Sequence, residues 1–99
     1  MDRTLIDRLL SKPLYSTDGK KTKEVLVTFK HCLSDWTWHI VEASREDNDI
    51  IMFGYVVSGL GPDCSEWGYV SLNELAEIPF IVPFIQNNTK IDMSGHVYK

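Results

Sequence analysis

Leu5, Ile6, Leu9 and Leu10 recur at helical spacing and form one apolar stripe, with Arg3, Asp7 and Arg8 off it. The spacing predicts a short N-terminal helix. Thr4 followed by Asp7 resembles a weak capping box, with Asp2 as the alternative cap. Pro13 ends the helix by disfavouring α geometry at Lys12. Residues 16–23 are polar and contain Asp18-Gly19, a turn signal. The period then changes to two. Over 24–31, Val25, Val27 and Phe29 alternate with more polar neighbours, although Leu26 blurs the pattern. Over 36–43, Trp36, Trp38 and Ile40 share one face and Thr37, His39 and Val41 the other. Residues 50–57 are almost continuously apolar, β-branched or aromatic, as in a central strand covered on both sides. The short charged link 44–49 predicts a hairpin and therefore antiparallel pairing.

A short strand over 66–70 runs into Ser71-Leu72-Asn73-Glu74, where Ser at the cap and Glu three positions on predict a second helix, brief because Pro79 follows. Residues 78–85 read either as a covered edge strand or as an exposed apolar patch, and 93–98 frame a last strand. Together these elements predict one α+β domain over 1–99. Its centre is a small antiparallel, meander-like sheet of about four strands, with an N-terminal helix and a short helix after the Trp67–Leu75 segment.

Composition narrows the function. Apolar residues make up 43% of the 99, enough for one core, and 24% charged residues argue against wholesale disorder. The opening residues are too charged for a signal peptide. The longest apolar run, 78–85, is far below the roughly 18 residues of a membrane span. Cys32 and Cys64 form no Cys-x-x-Cys pair, and a reduced cytoplasmic protein is the economical expectation. Charge is divided along the chain. Residues 1–30 hold seven Lys/Arg against four Asp/Glu, whereas 35–77 hold nine carboxylates and the single Arg45. Such a field repels nucleic acid and attracts basic surfaces, unless the acids are simply a solvated face that promotes solubility.

Candidate chemistry is sparse. His31, Cys32, His39, Cys64 and His96 are scattered, and His31 and Cys32 are adjacent, so on a strand they point to opposite faces. Neither a catalytic residue nor a metal or cofactor site is expected. Gly59-x-Gly61 lacks the lysine or helix-opening glycine that phosphate binding needs. The aromatics Trp36, Trp38, Phe53, Tyr55, Trp67 and Tyr69 suit a core or an interface, and core is the favoured reading. The expected contacts of a basic protein partner are Asp35, Glu42, Glu46, Asp47, Asp49, Asp63 and Glu66, with Trp36 and Trp67 as anchors. Two other readings stand beside this one. A pocket lined by Trp36, Trp38 and His39 would hold a small ligand or perform chemistry. A homodimer would form through Phe80 and Phe84 in 78–85.

The segments Trp36-Thr37-Trp38-His39, Phe53-Gly54-Tyr55-Val56 and Gly68-Tyr69-Val70-Ser71-Leu72-Asn73-Glu74-Leu75, with Pro13-Leu14-Tyr15-Ser16-Thr17 upstream, resemble the uncharacterised DUF2958 family. The likeness covers about residues 13–77. His39 stands where an aromatic is usual, and 62–66 and the tail after Glu77 depart from the pattern. The resemblance implies an accessory protein of plasmids, conjugative elements or phages, and transfers no catalytic residue. It suggests inhibition of a host nuclease or CRISPR effector, whose basic grooves a carboxylate-rich surface can occupy.

Overall fold

In a computed structural model that describes residues 2–99, the chain forms two short helices and eight strands. Helix α1 spans Arg3–Leu9 and α2 spans Leu72–Ala76. The strands are β1 (Thr22–Glu24), β2 (Val27–His31), β3 (Thr37–Glu46), β4 (Asp49–Val57), β5 (Glu66–Ser71), β6 (Ile81–Ile85), β7 (Lys90–Asp92) and β8 (Val97–Tyr98). A five-stranded sheet has the order β5-β4-β3-β2-β6 and a three-stranded sheet the order β1-β7-β8, with every pair antiparallel. The meander of four strands is present as β2 to β5, but the expectation of about four strands falls short. The single strand expected over 24–31 is divided at Leu26 between β1 and β2. Leu26 breaks the alternation because the chain changes sheets there, so Val25 packs into one core and Leu26 into the other.

The large sheet is covered differently on its two sides. Leu5, Leu9, Leu26, Phe29, Ile40, Met52, Leu72 and Leu75 join the helices to what we call the helical face. On the opposite face Val25, Val41 and Ile91 pack with Phe53, Tyr55, Trp67 and Val97 beneath the small sheet. Asp2, the alternative cap, is the one used: its carboxylate accepts the Thr4 N–H at 3.3 Å. Ser71 caps α2, its hydroxyl accepting the Glu74 N–H at 3.2 Å. Arg8 ties α1 to the sheet edge, donating to the Gln86 carbonyl at 2.9 Å and pairing with Glu24 at 3.5 Å.

Midway along β3 the register shifts between Ile40 and Glu42, a β-bulge. Up to Val41 the faces alternate as the sequence suggests, with Trp38 and Ile40 under the helices and His39 and Val41 opposite. The extra residue then inverts the parity. Glu42 pairs with Phe53 and joins the face opposite the helices, while Ala43 returns to the helical core. Gly54 makes the bulge feasible, because a Cβ there would lie 2.1 Å from the His39 carbonyl oxygen. No other residue fits that approach.

The tail at 78–85 forms the edge strand β6, but an uncovered one: Val82, Phe84 and Ile85 on it remain exposed, as the apolar-patch reading expected. Cys32 N–H donates to the Phe80 carbonyl at 2.9 Å and Gln86 N–H to the Leu26 carbonyl at 3.0 Å. With the observed register, even-numbered β6 residues therefore bond to β2, and Ile81, Pro83 and Ile85 turn their backbone outward. Pro83 thus costs the ladder nothing, and it removes the middle donor from the free edge.

Candidate functional site

Sequence proposed a belt of seven carboxylates, and topology divides it. The turn joining β3 and β4 places Glu46, Asp47 and Asp49 at one end of the large sheet. The β2–β3 connection carries Asp35, and the β4–β5 connection with the start of β5 carries Asp63 and Glu66, all at the other end. A ten-residue strand lies between, a separation of about 30 Å. The acids therefore form two groups, not one surface.

Two of the seven have other work. Glu42 is 2% exposed, so it is not a surface contact. The bulge turns it inward, where its carboxylate accepts the Tyr15 N–H at 2.9 Å, the Thr17 N–H at 2.8 Å and the Thr17 hydroxyl. Buried Lys23 completes the network from behind, donating to the Thr17 hydroxyl at 2.9 Å and to its carbonyl. Desolvation raises the Glu42 pKa, but the hydrogen bonds from Thr17 and Tyr15, with the Lys23 charge, outweigh it and hold the carboxyl below its ordinary range. The Pro13–Thr17 segment that resembled the family is thus the loop gripped by Glu42. Tyr15 is held there at a φ of 70°, rare for a bulky residue. Asp49 is the second. Its carboxylate accepts from the Ser71 hydroxyl, from Asn73 N–H at 3.0 Å and from Ile50 N–H at 2.7 Å, which lower its pKa and staple the hairpin to α2. Asp35, Glu46, Asp47, Asp63 and Glu66 are exposed.

The proposed anchors also separate. Trp67 stacks on Phe53 at 5.5 Å, meets Tyr55 edge-on at 5.5 Å, and donates its indole N–H to the Met93 carbonyl at 3.0 Å. Its polar handle is already used within the fold, so it is a structural residue rather than a free anchor. Trp36 is half-buried and stacks on Trp38 with centroids 6.0 Å apart. With His31, Ser34 and Ile78 the two tryptophans line an open cavity of about 420 Å³ on the helical face. His39 does not belong to it. Adjacent strand residues point to opposite faces, and His39 lies across the sheet with its Nδ1 3.1 Å from the Thr28 hydroxyl. Burial pushes its imidazole below the ordinary value, and the Lys30 charge acts in the same direction. Its place by the tryptophans is taken by His31, whose Nδ1 lies 2.9 Å from the Ser34 hydroxyl.

A second hollow, about 580 Å³, adjoins the first through Trp38 and Ile78 and is bordered by Glu74 and Glu77, neither of them among the partner contacts expected from the sequence. Phe80 meets the His31 ring edge-on at 6.4 Å, whereas Phe84 pairs with Thr28 on the opposite face. The two phenylalanines thus present no common surface on one face. Both thiols are exposed, and among the described residues no group of three His, Cys, Asp or Glu side chains converges as metal ligands. Among the described residues no helix is long and apolar enough to cross a membrane.

Fold and surface together define a small α+β domain of two antiparallel sheets, carrying an open aromatic groove on its helical face. The family model for proteins of unknown function designated DUF2958 matches residues 1–92, and the chain belongs to that family. The match extends past Glu77 and takes in β6 and β7. No curated protein and no solved structure matched.

Proposed function

We propose that the chain is a non-catalytic interaction module that docks on a basic protein surface through the end of the large sheet bearing Asp35, Asp63 and Glu66. One observation carries this reading: these exposed carboxylates sit at the same end as the open Trp36 slot, so charge and an apolar anchor are available together. Glu42, Trp67 and Asp49 leave the contact list, and Glu46 and Asp47 lie too far away to join it. The sharpest form is inhibition of a host nuclease or guide-directed effector by occupation of its nucleic-acid groove. In that setting an acidic surface gains association rate at low salt. The test is retention of a host partner by the wild-type chain at low and high salt, beside an Asp35→Lys/Asp63→Lys/Glu66→Lys variant. Loss of the partner in that variant, with retention in Glu46→Lys/Asp47→Lys, is the expected result. Equal retention in both overturns the reading.

A second reading is favoured by the cavity itself. Its 420 Å³ falls within the range of about 300–1,000 Å³ usual for small-molecule sites, and its lining is almost wholly apolar. Thermal-shift screening with apolar fragments tests it, and a hit must disappear on Trp36→Ala.

A further inference from the structure

We infer that the groove crossing Ile78 receives a short segment of the partner protein that pairs one large apolar side chain with a nearby lysine or arginine. This deepens the interaction reading above and rests on it. The two hollows are neighbours, since Trp38 and Ile78 line both, and a segment laid across Ile78 reaches each of them. Their ends differ in chemistry. One is closed by the stacked Trp36 and Trp38 rings and takes an aliphatic or aromatic side chain. The other is bordered by Glu74 and Glu77, and among the described residues neither hollow is lined by a lysine or arginine. An acidic segment is repelled at that end, and a purely apolar one leaves both carboxylates facing it without a counter-charge. A cationic side chain satisfies them and can lay its methylene stem along Ile78.

The alternative way to cover this side of the molecule is strand addition at β6, and the edge resists it. Pro83 faces outward and lacks the N–H that a paired strand would require. The occupant therefore engages side chains in the groove and not the sheet edge. Glu74 enters the α2 cap through its backbone N–H, and among the described residues no side-chain hydrogen bond or ion pair engages its carboxylate.

The test is selection of a displayed random twelve-residue peptide library on the immobilised full chain. Recovered peptides should share an apolar residue and a Lys or Arg within about four positions of it. Their retention should fall about tenfold or more on Ile78→Glu and on Glu74→Lys/Glu77→Lys, with no change on Asp47→Lys at the far end. Circular dichroism of each variant checks that the fold persists. A selected motif that is acidic or uncharged, the absence of any enrichment, or equal retention by the groove variants overturns the inference. So does a dimer in light scattering that Ile78→Glu releases, since the occupant is then a second copy. If the Asp35/Asp63/Glu66 reversal releases the host partner while the groove variants keep it, the groove inference fails and the interaction reading stands. If peptides select as expected but no host partner is held at low salt, the reading fails and the groove stands.

Discussion

Replacing Glu42 by alanine strips the Tyr15 and Thr17 N–H groups and the Thr17 hydroxyl of their acceptor at once. It also leaves the buried Lys23 ammonium with no carboxylate behind Thr17. Removing one partner from a buried charged network costs about 3–5 kcal/mol, because the remaining charge stays desolvated without compensation. A domain of this size has about 5–15 kcal/mol in total. At about 4–8 °C per kcal/mol, the melting temperature should fall by at least about 12 °C. The loop from Pro13 to Thr17 should loosen first, since Glu42 accepts two of its N–H groups and so helps to hold Tyr15 at its positive φ. Guanidinium unfolding followed by tryptophan emission measures the change. A cycle with Lys23→Met isolates the coupling, expected at about 1–3 kcal/mol with the double variant more stable than the sum of the singles. A loss below about 1 kcal/mol, or strict additivity, refutes the account of Glu42 as the buried clamp.

Gly54→Ala should cost about 3 kcal/mol or more, or prevent folding, because its Cβ meets backbone that cannot retreat, as chemical unfolding would report. Ser71→Ala should cost about 1–2 kcal/mol through the lost α2 cap, with normal stability counting against the cap. Pro83→Val should restore a donor to the free edge of β6 and raise self-association in light scattering while leaving the monomer's melting temperature nearly unchanged. Glu42, Asp49 and Asp92 all have lowered pKa values, Asp92 because its carboxylate accepts from the Ser94 hydroxyl and the His96 N–H. Their stabilisation should be complete above their ordinary values of 4.5 and 3.8 and lost as pH falls through the lower folded ones. His39 is also lowered, and because the unfolded chain takes its proton first, it should subtract stability as pH drops below its ordinary 6.5. A thermal-melt series from pH 8 to about 3 tests both, and Glu42→Gln should flatten the acid limb.

Much of the fold was legible because local rules decide it. The stripe at Leu5, Ile6, Leu9 and Leu10, the Ser71 cap and the charged link before Asp49 each name their element without reference to distant residues. The functional surface was less legible. Counting carboxylates along the chain treated Glu42 and Glu46 as equivalents, although one lies in the interior and the other on a hairpin tip. Trp36 and Trp38 were correctly placed on one face, yet the pocket assigned to them included His39, which alternation itself sends to the other side. The Glu74 and Glu77 border carried no signal, because two acids near a short helix look like ordinary solvated residues until Ile78 is seen across from them.

By itself the sequence determined the helices, the meander from β2 to β5 and the balance of charge, since period, capping and turn chemistry act over a few residues. Tertiary structure alone decided which carboxylates face water, which tryptophan is free, and that β6 closes the sheet against β2. The physical reason lies in a single extra residue at the β3 bulge and one close backbone approach at Gly54. Together they invert the parity of the rest of β3 and turn an expected surface acid into a buried one.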